Sequence, residues 1–182
     1  MNNKSGELLD RTRIRELLTE LGSRCAARGF SVEMFLVGGA AIALAYGERR
    51  ATRDLDAIFE PKMKVYAEAK KMADELGLPE DWLNDSVKGL LPDFPDTGSQ
   101  ATTSSNGLRV VVPSPEYLFA MKAASARVDI DDDDLKLLGE IVGIKDAEDA
   151  YAIVAKFYRQ ERISAKSGFY LQSIYPEDVS QS

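Results

Sequence analysis

Two aspartates, Asp54 and Asp56, flank a single leucine and are followed by Ala57, Ile58 and Phe59, an alternation of acidic and apolar side chains that predicts a strand over residues 54–59. On a strand, positions i and i+2 share a face roughly 7 Å apart along the backbone, so both carboxylates lean onto one site. Like charges held that close repel unless a cation lies between them, and hard oxygen donors suit Mg²⁺ carrying the phosphates of a nucleotide. Upstream, Gly38 and Gly39 follow the apolar run 34–37 and precede the small-residue stretch 40–46. Glycine lets a backbone approach a phosphate closely, and the N–H groups that open a helix favour anions. Arg49, Arg50 and Arg53 lie between the glycines and the acids. Together these residue types suggest phosphoryl or nucleotidyl transfer.

Alone, the acid pair says little. With 30 acids in 182 residues, acid-x-acid arises about five times by chance, and its usual meaning is a surface turn. What sets this instance apart is order: glycine pair, helix-length spacer, basic cluster, then acids inside an apolar strand.

The elements that must position these residues are readable around them. Residues 7–28 place Leu8, Ile14, Leu17, Leu18 and Leu21 at helical spacing, ending at Gly29. Residues 30–37 predict a first strand, 54–59 a second that ends at Pro61, and 62–76 a helix with Lys64, Lys70 and Lys71 outward, closed by Gly77. Residues 91–107 are rich in Pro, Asp, Gly, Ser and Thr and predict a loop, with room for one short strand. A strand over 108–112 precedes a helix over 116–128, opened at Ser114 between two prolines and containing Lys122. The acids from Asp129 to Asp134 lack the glycine and distal glutamate of an EF-hand loop, and predict the negatively charged opening of a helix over 135–142. A last helix is expected over 146–162, with Ala150, Ile153, Val154 and Phe157 inward, and an irregular, partly ordered tail over 164–182.

Composition narrows the chemistry. A chain of 182 residues, 45% hydrophobic and 29% charged, is ordinary globular material. Its net charge of −7 argues against a protein coated for nonspecific duplex binding, while leaving room for a local basic groove. Cys25 is the single cysteine and there is no histidine, which excludes an intrachain disulfide, a Cys/His zinc site and any histidine acid or base. Proton transfer by the protein falls to Asp, Glu, Lys or Tyr. The first 15 residues lack an apolar signal core and the longest apolar run is broken by glycine, so a cytoplasmic protein with no membrane partner is expected.

The glycine pair, short helix and acid-x-acid strand resemble the DNA polymerase β-like nucleotidyltransferase superfamily, specifically the toxin branch related to AbiEii and the MenT toxins. Also similar are Trp82-Leu-Asn-Asp-Ser-Val-Lys-Gly89, the stretch Leu108-Arg-Val-Val-Val-Pro-Ser-Pro-Glu-Tyr-Leu-Phe-Ala-Met-Lys122, and Ala126-Arg127 with Asp131 to Asp134 and Leu135. The likeness covers about residues 30–140. It implies an α/β (α+β) fold, a small twisted mixed sheet with flanking helices and a helical C-terminal part, in one domain over 1–163 with the tail beyond. It implies that catalytic Asp54 and Asp56 hold Mg²⁺, that Gly38 and Gly39 cradle the triphosphate with Arg53 adding positive charge, and that Lys122 contacts phosphate or assists proton movement. The implied reaction moves a nucleoside monophosphate from an NTP to the 3′ end of tRNA, as the toxin of a toxin–antitoxin system with a cognate antitoxin. Superfamily members commonly carry a third catalytic carboxylate on a later strand, where residues 108–112 offer only Arg109; Asp131, Asp134 and Asp85 are the candidates to stand in. Transfer to a protein hydroxyl, and a non-catalytic member that binds a nucleotide or a partner, are the alternative readings.

Overall fold

A computed structural model describes residues 8–47 and 51–176, with residues 102–105 described by their backbone alone. In chain order the elements are β1 (Leu9–Asp10), α1 (Arg11–Ala27), β2 (Val32–Leu36), α2 (Gly38–Ala45), β3 (Ala51–Thr52), β4 (Leu55–Glu60), α3 (Lys62–Leu76), β5 (Leu83–Asn84), β6 (Gln100–Ser105), β7 (Leu108–Val112), α4 (Pro115–Ser125), α5 (Asp132–Val142), α6 (Ala147–Phe157) and α7 (Ala165–Ile174). The fold is mixed α/β. The contacts form two compact units: one through Gly89 together with Ser99–Pro113, the other Leu90–Gly98 together with the residues from Ser114 onward.

The first unit is built on a five-stranded mixed sheet in the order β5-β4-β2-β7-β6. β2 pairs antiparallel with β4 and parallel with β7, β4 pairs parallel with β5, and β6 pairs antiparallel with β7. Period-two alternation gives the sheet two unlike faces. Val32, Met34 and Leu36 of β2, Leu55, Ala57 and Phe59 of β4, and Leu108, Val110 and Val112 of β7 are buried, and the register sets Met34 against both Phe59 and Val110. The opposite face carries Asp56, Ile58, Phe35, Glu33 and Arg109, none of them fully buried. α1 packs against β7 and α3, and α3 against β4.

Local chemistry explains α1. The Asp10 side chain accepts a hydrogen bond from the Arg13 amide at 2.8 Å, satisfying one of the donors that a helix opening leaves without a partner. Ile14, Leu17, Leu18, Leu21 and Cys25 then form one fully buried stripe, each large aliphatic contributing about 1.5–3 kcal/mol by its burial. Trp82, also fully buried, donates from Nε1 to the Ala69 carbonyl at 3.0 Å, while its own carbonyl accepts from the Leu55 amide at 2.7 Å. That residue ties α3, β4 and the start of β5 together.

The second unit is helical. α4 opens on Ser114, whose Oγ accepts from the Tyr117 amide, with Pro115 in the first turn, and it packs against α5, α6 and α7. Leu118, Phe119, Leu135, Leu138, Ala150, Val154, Phe157, Tyr170 and Leu171 form this unit's core, and the Tyr117 and Phe157 rings meet edge to face at 5.2 Å.

Two expectations change, and one is filled in. The stretch 164–182, read as an irregular tail, carries α7, capped by Ser164 and burying Tyr170 and Leu171. The one short strand for which the loop 91–107 had room is the six-residue β6, with a register shift between Ala101 and Thr103. The helix expected over 146–162 ends at Phe157, where the Arg159 amide turns instead to the Asp93 carboxylate at 2.9 Å. Among the described residues no helix is long and apolar enough to cross a membrane.

Candidate metal and nucleotide site

The site grows from the turn between β2 and α2. The Val37 amide donates to the Asp56 carbonyl at 2.9 Å, which seats the opening of α2 beside the start of β4. Gly38 has φ +64°, and a Cβ there would lie 3.1 Å from Asp56 Oδ2. Only glycine takes that backbone easily and leaves the carboxylate its room. Gly39 comes as close to the other side of the turn: its Cβ would lie 3.0 Å from Thr52 Oγ1, a hydroxyl that donates to the Asp54 carbonyl at 3.2 Å. The residue before α2 is Val37, and no side chain caps this helix, whose first residue lies beside the Asp56 carboxylate. Donors suited to an anion thus stand next to acids suited to a cation.

Asp54 lies in the bend just before β4 and Asp56 is the second residue of the strand, so the strand starts one residue later than expected; both acids are half-buried. Their neighbour is β5, whose Asn84 stands opposite Asp56. Asn84 Nδ2 donates to Asp54 Oδ2 at 3.1 Å. Its carbonyl oxygen accepts from Ser86 Oγ at 2.6 Å and from the Ser86 amide at 3.1 Å, and Ser86 Oγ lies 3.5 Å from Asp56 Oδ1. The strand over 108–112, searched for a partner acid in the sequence, is β7; it pairs with β2 on the side away from β4, and its Arg109 bonds Glu33 at 2.9 Å. The Asp56 carboxylate beside the helix opening, on which a Cβ at Gly38 would press, and the Asp54 carboxylate bonded to Asn84 are hard oxygen donors of the kind that a divalent cation such as Mg²⁺ takes. Among the described residues no group of three or more acids, cysteines or histidines gathers for a metal.

A family model described as a nucleotidyltransferase of unknown function (DUF6036) matches residues 13–159. The chain belongs to this nucleotidyltransferase family. An antigenic nucleotidyltransferase-like protein from Paracoccidioides brasiliensis, known from its crystal structure, is similar with a TM-score of 0.46 and 10% identity over 82% of this chain and 89% of that one. No curated protein matches the sequence. Nucleotidyl transfer is the general chemistry that family membership supports.

The other candidate residues are placed as follows. Arg53 is exposed in the bend beside Asp54; Arg49 and Arg50 lie outside the described residues. Asp85 is turned to α3 and the loop after it: its Oδ1 accepts from the Tyr66 hydroxyl at 2.7 Å, and its Oδ2 lies 2.6 Å from Lys62 Nζ and 3.2 Å from Lys88 Nζ. Hydrogen bonding from Lys62, then Tyr66 and Lys88, holds its carboxyl well below the ordinary carboxylate range in spite of burial. In the helical unit, Lys122 is buried, with Nζ 2.6 Å from Asp131 and 2.9 Å from Asp134. Asp131 also accepts from Arg127 at 2.9 and 3.0 Å. Burial alone would raise the Asp131 carboxyl, but Arg127 and Lys122 more than reverse it and bring it below its usual value.

Asn84 and Ser86 were missed because neither carries charge. The signal lay in the stretch 82–89, where Asp85 drew attention while an amide and a hydroxyl flanked it at i±1. Asn84 ends β5 and Ser86 opens a 3₁₀ turn, and their side chains bond to each other while Asp85 bonds to Tyr66 of α3.

Proposed function

We propose that this chain is a Mg²⁺-dependent nucleotidyltransferase that moves a nucleoside monophosphate from an NTP to the 3′ end of tRNA, as the toxin of a toxin–antitoxin pair. The observation that supports the chemical part is the Asp56 carboxylate beside the uncapped opening of α2 at Gly38, with Asp54, two residues earlier, bonded to Asn84 of the adjoining β5. Asp54 and Asp56 would hold Mg²⁺, which would supply positive charge against the negative charge that builds at the α-phosphorus. The amides of Gly38 and Gly39 would donate to the triphosphate oxygens, and Arg53 would add positive charge beside them. The acceptor hydroxyl attacks the α-phosphorus, an O–P bond forms, the bond to the β-phosphate oxygen breaks, pyrophosphate leaves, and the hydroxyl proton passes to solvent. The tRNA acceptor, the toxin role and a neutralising antitoxin are supported by the likeness of residues 30–140 to the toxin branch.

The test is incubation with Mg²⁺, total tRNA and each α-labelled NTP in turn, beside a protein carrying both Asp54→Asn and Asp56→Asn. Label on RNA that disappears in the double variant is the expected result. Label on protein overturns the tRNA acceptor, and label that persists in the double variant overturns the site.

A further inference from the structure

We infer that Asn84 is a positioning residue for the acid pair: its side-chain amide fixes the Asp54 carboxylate, and Ser86 fixes the amide, so that the two aspartates meet a divalent cation already oriented. This inference deepens the proposed metal-dependent reading and rests on it.

An asparagine side chain offers an acceptor at one end and donors at the other, and either end can face a neighbour. Here the choice is made locally. The Ser86 hydroxyl and the Ser86 amide both donate to Asn84 Oδ1, at 2.6 and 3.1 Å, so the NH₂ end is the one that faces Asp54 Oδ2 at 3.1 Å. The reverse orientation would set the amide oxygen against a carboxylate oxygen and the NH₂ against the Ser86 amide donor. Ser86 has one hydroxyl proton and directs it to Asn84, with Asp56 Oδ1 at 3.5 Å.

The residue between them holds the frame. Asp85 points the other way and is fastened to α3 through Tyr66 and Lys62, and its amide donates back to the Tyr66 hydroxyl at 3.1 Å. In three consecutive residues, the outer two face the acids and the inner one anchors the backbone that carries them. A neutral donor beside an anionic ligand orients it without adding charge, which is how hydrogen bonds outside a metal's ligand set tune its affinity.

Mn²⁺ is the probe, its binding read by electron paramagnetic resonance of the free ion and by the rise in melting temperature. Asn84→Ala is expected to weaken Mn²⁺ binding about 10-fold or more, the usual effect of removing such a partner, with circular dichroism unchanged. Ser86→Ala, which frees the amide to rotate, is expected to weaken binding by a smaller factor. Asn84→Asp sets a third carboxylate beside Asp54: the metal-free protein should melt lower, and Mn²⁺ should raise its melting temperature by more than it raises that of the wild type. The Asp54→Asn and Asp56→Asn double variant separates the two levels of failure. If it binds Mn²⁺ like the wild type, the metal reading falls and this inference with it. If it loses binding while Asn84→Ala keeps wild-type affinity, the acid pair stands and the role of Asn84 is overturned.

Discussion

At Gly38, conformation and contact make the same demand: φ is +64° and the missing Cβ would sit 3.1 Å from Asp56 Oδ2. Gly38→Ala meets a backbone penalty of about 1–3 kcal/mol and displaces the carboxylate. The expected outcome is a modest fall in melting temperature with a much larger loss of Mg²⁺-dependent nucleotide binding, both measurable on one preparation. At Asp85 the expectation concerns pH. Its folded carboxyl is held well below the ordinary 3.8, so its bonds to Lys62 and Tyr66 stabilise the fold fully above that value and lose their effect as the pH falls beneath it. Asp85→Asn should therefore lower stability at pH 7 and flatten the decline between pH 4 and pH 2, read from denaturant midpoints across that range. An unchanged acid limb would remove Asp85 from the group of residues that hold the end of β5.

Among the elements, α4 and α5 are joined by a buried charge. Lys122 and Asp131 are 8% and 1% exposed, and removing one member of such a pair leaves the other charged and without its partner, at a cost of about 3–5 kcal/mol. Lys122→Met is expected to destabilise the protein by that order, measured by chemical denaturation. α7 is docked through a contact that only glycine allows: a Cβ at Gly139 would lie 2.0 Å from the Tyr175 hydroxyl oxygen, which donates to the Leu135 carbonyl at 2.8 Å. Gly139→Ala should cost about 1–3 kcal/mol by overpacking and raise hydrogen exchange along α7, while leaving the sheet protected. These elements also show what a sequence discloses. α1 was legible because a long apolar stripe at helical spacing has few other meanings, α3 because Pro61 and Gly77 bracket a stretch with Lys64, Lys70 and Lys71 outward, and β4 because its acids alternate with buried Leu55, Ala57 and Phe59. β5 was not legible, since two residues cannot show a period, and the neighbour of the acids was sought on β7 instead. β6 is written in Gln, Ala, Thr and Ser, residues shared with loops; its partner β7 supplies the pairing that makes it a strand. α7 hid in a polar stretch whose one clear sign was Ser164, a serine three residues before the Ser167 amide it caps.

For the molecule as a whole, the family match over residues 13–159 reaches into both compact units, and the site is assembled within the first of them. Its parts come from four places in the chain: the opening of α2, the hydroxyl of Thr52, the acids at the start of β4 and the Asn84–Ser86 bracket. Sequence alone brought out the glycines and the aspartates, because charge and missing side chains stand out in a string of letters; the neutral bracket required the sheet order. With acidic residues outnumbering basic ones, 30 to 23, the proposed function requires a cation to bring a triphosphate to these carboxylates. Isothermal titration of an NTP into the wild type and into the Asp54→Asn, Asp56→Asn double variant, each with Mg²⁺ and with a chelator, tests that condition directly. Binding confined to the wild type with Mg²⁺ is the predicted result; equal binding by both proteins, or binding that the chelator leaves intact, would contradict it.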